Sequence, residues 1–154
     1  AYHNLGVAAM NARHFDTAIF YFSKTDDKGN LIQTYRQAAV YYLDQKNFQK
    51  AQYYADKSGD GALAKNVKYN EGVAYYNAAQ IEKALSIFSF LGDENMKKAC
   101  YQKQYNQLVG KVAGVRTLED ARKKKSVYQQ MLLVAEKIGD EILEKSVRDT
   151  LSKM

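Results

Sequence analysis

Apolar residues recur along this chain at spacings of three, four and seven, the signature of one face of an α-helix. The run Phe15, Ala18, Phe22 returns as Phe48, Ala51, Ala55 and again as Ile81, Ala84, Phe88. Each copy lies 33 residues after the last. Upstream, the same offset aligns Leu5-Gly6 with Ala38-Ala39 and Glu71-Gly72, Ala9 with Tyr42 and Tyr75, and Val7 with Val40 and Val73. Each unit therefore holds two helical runs. Short polar stretches separate them: Asn11–His14, Asp44–Asn47 and Asn77–Gln80. Small residues at 6, 39 and 72 and at 18, 51 and 84 let paired helices approach closely, because a larger side chain would push the backbones apart.

The order aromatic, Leu-Gly, aromatic, then Ala-x3-Phe resembles the tetratricopeptide repeat. The first unit reads Tyr2-x2-Leu5-Gly6-x2-Ala9, then Ala18-x3-Phe22; the second reads Tyr35-x2-Ala38-Ala39-x2-Tyr42, then Ala51-x3-Ala55. The third reads Lys68-x2-Glu71-Gly72-x2-Tyr75, then Ala84-x3-Phe88. The sequence departs from the family in its 33-residue period, in having no proline, and in Lys68 and Glu71, which stand three apart and can pair on a helix face. The resemblance covers residues 1–93. It implies an all-α fold, a right-handed α-solenoid of tetratricopeptide-like (TPR-like) helical hairpins whose first helices line a concave face.

Beyond residue 93 the pattern loosens. Ala55-Asp56-Lys57-Ser58-Gly59-Asp60 is echoed by Ala135-Glu136-Lys137-Ile138-Gly139-Asp140, and Leu91-Gly92-Asp93 is a shorter copy. Each places a glycine just past a helix and an aspartate to cap the next. We expect an elongated fourth hairpin over 94–139. Its first helix would run from about Glu94 to Gly110 and its second from an N-cap at Thr117 to Ile138. A capping helix over 140–154 would bury Ile142, Leu143, Val147 and Leu151 and turn Glu144, Lys145, Arg148 and Ser152 outward. The whole reads as one continuous domain. Because the chain opens on Ala1 inside a helical pattern, we read it as a piece of a longer protein whose targeting signals lie outside it. The sequence assigns no compartment; no stretch has the ~18 apolar residues of a membrane span, so the reading is of a soluble chain.

Charge adds one feature. Lys and Arg balance Asp and Glu from Ala1 to Glu94, ten of each, so the net +6 lies wholly in residues 95–154. The densest run is Arg122, Lys123, Lys124, Lys125, whose four consecutive positions circle a helix, so that at least one would snorkel over the core side. These four are candidates for anion binding. Nucleic acid is the lesser reading: the 13 tyrosines could stack bases, but Tyr35, Tyr42 and Tyr75 fall at repeat core positions, and Tyr41, Tyr53, Tyr54 and Tyr128 have similar helical spacing. Cys100 reads as a small buried apolar residue.

The sequence carries no His-Glu-x-x-His, no phosphate-binding glycine loop and no Cys-x-x-Cys, so we read it as no enzyme and expect no cofactor or metal. The expected function is a protein-protein interaction scaffold that binds a protein or an extended peptide. The alternatives are an electrostatic binder of nucleic acid or an anionic surface, and a structural or oligomerisation spacer. The resemblance assigns the groove to particular columns. His3, Arg36 and Tyr69 form one. Asn4, Gln37 and Asn70 form a second, an amide ladder that can donate and accept to a peptide backbone. Val7, Val40 and Val73 form an apolar floor, with Met10, Leu43 and Tyr76 beyond. The family's carboxylate clamp would need Lys and Asn where this chain has His3 and Val7, so no binding of acidic chaperone tails is expected.

Overall fold

A computed structural model describes all 154 residues, and every regular element in it is a helix. In chain order these are α1 (Tyr2–Asn11), α2 (Phe15–Lys24), α3 (Lys28–Asp44), α4 (Phe48–Ser58), α5 (Gly61–Asn77), α6 (Ile81–Leu91), α7 (Glu94–Lys111), α8 (Leu118–Lys123), α9 (Lys125–Ile138) and α10 (Glu141–Ser152). They form two compact units, Ala1–Ala74 and Tyr75–Met154. No helix is long and apolar enough to cross a membrane.

The sequence period is written into the backbone. Arg13, Lys46 and Ala79 all take positive φ, at 60°, 55° and 58°. In each case the following amide reaches back five residues: His14 to Ala9, Asn47 to Tyr42 and Gln80 to Tyr75, each at 2.9 Å. The positive-φ residue itself donates to the carbonyl three back, which completes the Schellman closure that satisfies a helix's last carbonyls. Asp26, Gly59 and Gly92 repeat the reversal at the other junction, at 51°, 69° and 68°. The next residue in each case is an aspartate that caps the following helix: Asp27 accepts from Asn30, Asp60 from Leu63 and Asp93 from Met96, at 3.1, 3.0 and 2.9 Å.

In the first unit Phe22 is fully buried against Ala9 and Ala18, with Val7, Met10 and Leu31 around them. Burying such a ring contributes about 1.5–3 kcal/mol. Gly6 is small because it must be: a Cβ there would fall 2.7 Å from the Phe22 ring. A second cluster joins Phe15, Ala38, Ala39, Ala51, Tyr54, Ala55 and Val67. The Tyr42 and Tyr54 rings stack at 5.6 Å and 7°, and the Tyr54 hydroxyl donates to Asp16 Oδ1 at 2.8 Å. Phe48 is only half-buried, and Tyr53, which its spacing placed with the core, is 55% exposed; its neighbour Tyr54 takes the inward position.

The second unit packs α6 on α7, α7 on α9 and α9 on α10. Its main cluster comprises Tyr105, Leu108, Met131, Val134, Ala135, Ile138 and Val147. Gly139 takes φ 72°, and Asp140 caps α10 as the sequence echo suggests. Three expectations fail here. The helix expected from Thr117 to Ile138 breaks at Lys124 into α8 and α9. Thr117 and Asp120 do form the N-terminal capping box, and the one ion pair on the run of four cations that follows is Lys123 with Glu119. With the helix broken, Arg122, Lys123, Lys124 and Lys125 are all exposed and none lies over the core. Ile142 also leaves its expected face and is 82% exposed. The inward stripe of α10 is Leu143, Val147 and Leu151, spaced by four, and Ile142 stands one residue, about 100°, off it.

Candidate functional site

The exposed face of α1 and α3 in the first unit holds most of the expected groove residues, but the columns do different work. His3 Nδ1 donates to Asp27 Oδ2 at 2.9 Å, and Arg36 Nε lies 3.2 Å from Asp60 Oδ2. These two pairs repeat at the 33-residue offset, and each carboxylate also caps the next helix. The column therefore ties the start of one hairpin to the first helix of the previous one. Hydrogen bonds from the Asn30 side chain and backbone, then the His3 contact, hold the Asp27 carboxyl below its ordinary range against an opposing burial cost. Tyr69, third in the column, is 39% exposed.

The amide column is uneven. Asn4 and Gln37 are exposed. Asn70 turns along its own helix, donating to Asn66 O at 2.8 Å and Asn66 Oδ1 at 3.2 Å. The valine column diverges too. Val7 packs against the Phe22 cluster and Val73 is half-buried, whereas Val40 is 47% exposed. Tyr76 belongs to the second unit, where Lys103 stands 4.3 Å above its ring and donates to its carbonyl at 2.7 Å.

Arg36, Gln37 and Val40 come together at an open pocket of about 350 Å³ between the α1–α2 turn and α3. Phe15 and Tyr41 supply its apolar wall, and Arg13, Gln33, Asp44 and Gln45 complete its rim. Arg13 is held there twice, by its left-handed turn backbone and by its guanidinium 5.4 Å from the Tyr41 ring. The chain matches no protein-family model and no curated protein sequence. Sequence reasoning missed Arg13, Phe15, Gln33, Tyr41, Asp44 and Gln45 as pocket residues. Phe15 and Tyr41 read as core, and Arg13 as an ordinary turn residue. The one signal in the sequence was the helical spacing of Gln33, Gln37, Val40 and Asp44, which places them on one stripe of α3.

The basic run is less of a site than its composition suggests. Arg122 Nε donates to Met154 O at 3.2 Å, and Lys123 pairs with Glu119 at 3.3 Å. That leaves Lys124 and Lys125 to face solvent. The second unit does have a groove of about 300 Å³ between α7 and α9, with Gln104, Gln107 and Gln130 around an exposed Leu133.

Proposed function

We propose that the chain is a TPR-like interaction module whose first unit binds an extended peptide or a partner protein along the exposed face of α1 and α3. In this reading the hairpins of that unit stack as in a right-handed α-solenoid, and α10 caps the second unit. The observation that carries it is the backbone period. Reversals at Arg13, Lys46 and Ala79 recur with the same pair of backbone hydrogen bonds, and those at Asp26, Gly59 and Gly92 each precede an aspartate that caps the next helix. In this reading the first helices stand side by side, and the exposed face of α1 and α3 carries two exposed amides, an exposed valine and an open pocket. Asn4 and Gln37 supply donors and acceptors to a peptide backbone. At about 0.5–1.5 kcal/mol net per hydrogen bond, one contact from each contributes about 1–3 kcal/mol, roughly a fivefold to hundredfold share of the affinity.

The test is selection from a displayed library of random linear peptides, followed by titration of the selected peptides. Asn4→Ala with Gln37→Ala, at unchanged helicity, should weaken binding about tenfold or more, the loss of two such contacts. Selection of no peptide, or peptides indifferent to that double change, would refute the groove. The electrostatic reading draws on Lys124 and Lys125, the two free cations of the basic run, and no observation favours it.

A further inference from the structure

The pocket on α3 has a polarity along its length that specifies what kind of peptide it takes. Arg36, Val40 and Asp44 stand four residues apart on one stripe of the helix. At 1.5 Å per residue, Arg36 and Asp44 therefore lie about 6 Å to either side of Val40 along the axis. An extended peptide advances about 3.3 Å per residue and returns to the same face every second residue, so two peptide residues also span about 6 Å. Resting on this groove reading, we propose that the pocket binds an extended segment carrying an apolar side chain and, two positions away, an acidic one.

The apolar side chain would sit on Val40, against Phe15 and Tyr41. Of these, Val40 is the exposed apolar surface that has no partner of its own, at 47%, while Phe15 is 6% exposed. The acidic side chain would meet Arg36. Its Nε lies 3.2 Å from Asp60 Oδ2, and its terminal amino groups carry further donors. At the opposite end Asp44 and Arg13 oppose each other in sign, so that end favours a neutral polar side chain over either charge. Gln33, Gln37 and Gln45 flank the path with groups that can both donate and accept, as an extended backbone requires. A polar rim around a small apolar floor is the usual build of a pocket that fixes one side chain.

The experiment uses the full chain and labelled Gly-Ser peptides carrying Glu-x-Leu, Leu-x-Glu, Lys-x-Leu, Glu-Leu or Glu-x-Ser, read by fluorescence anisotropy. One of the two Glu and Leu orders with a single spacer should bind tightest. Replacing Glu with Lys, removing the spacer or replacing Leu with Ser should each weaken it about tenfold, the scale of one charge-assisted contact or one buried side chain. Val40→Glu and Arg36→Gln should each remove that preference, while Asp60→Asn, which keeps the guanidinium and a capping side chain, should retain it. Val40 is exposed, so its replacement tests the pocket and not the fold. Peptides that bind without regard to spacing or charge, or that ignore Val40→Glu and Arg36→Gln, would overturn the inference. If such peptides were still lost on Asn4→Ala with Gln37→Ala, the groove would stand without the pocket. Selection of no peptide at all would remove both.

Discussion

Replacing glycine with alanine inside a helix ordinarily stabilises a protein, by about 1 kcal/mol from backbone entropy and solvation. At Gly6 the structure reverses that expectation. The added Cβ would lie 2.7 Å from Phe22 Cε1 and 2.9 Å from both Cδ1 and Cζ. Carbon atoms in contact sit about 3.5–4.0 Å apart, so the ring would have to move by roughly 1 Å. It has nowhere to go, because Phe22, Ala18 and Ala9 are buried together. Overpacking of this kind costs about 1–3 kcal/mol, which leaves Gly6→Ala destabilising by about 0–2 kcal/mol. Gly110 in α7 is the internal control, since a Cβ added there would meet nothing within 4 Å and Gly110→Ala should stabilise by about 0.5 kcal/mol. Urea titration followed by circular dichroism reads both. Phe22→Leu should relieve part of the cost of Gly6→Ala in a double-mutant cycle, giving an interaction energy of about 0.5–2 kcal/mol. If Gly6→Ala stabilised as much as Gly110→Ala, or if the two sites added without coupling, the close approach of α1 and α2 would be wrong.

Ala79→Gly should stabilise the chain by about 0.5–1 kcal/mol, because Ala79 holds φ 58° where a side chain is strained and glycine is not; thermal melts showing a loss would contradict the turn geometry. Acid titration should expose Asp27. Its folded-state pKa lies below the ordinary 3.8, so its contribution is complete above that value and is lost as pH falls through the lower one; Asp27→Asn should flatten that part of the stability curve while keeping a capping side chain. Tyr54 behaves in the opposite sense. Burial, then its hydrogen bond to Asp16, pushes its ionisation far above the usual value of 10.0, so folding should lose stability as pH rises past 10.0, and Tyr54→Phe should remove that slope.

Much of the architecture was legible because the same 33-residue offset fixes both the helix faces and the junctions between them. Phe15, Ala18 and Phe22 fall where three-and-four spacing puts them, and the aspartates after Gly59, Gly92 and Gly139 cap as their position requires. The first helix of the long hairpin also spans its expected range. What was not legible depends on events outside the period. The break at Lys124 carries no glycine or proline, the residues by which a sequence marks a helix interruption. The outward turn of Ile142 is a one-residue ambiguity in which of two adjacent apolar residues faces inward. In the groove, spacing showed which residues share a column but not what each one touches. His3 and Arg36 each meet the carboxylate that caps the next hairpin's first helix, and Asn70 bonds its own helix; all three contacts depend on side-chain direction.

The central claim is that partners dock on the exposed face of α1 and α3. Amide and methyl chemical-shift mapping of the full chain, titrated with a peptide selected from a random library, tests it most directly. The largest shifts should fall at Asn4, Gln37, Val40 and the Arg36 side chain, with Lys124, Lys125 and Leu133 unmoved. Shifts confined to the α7–α9 groove or to the basic run, with Val40 unmoved at saturation, would contradict it.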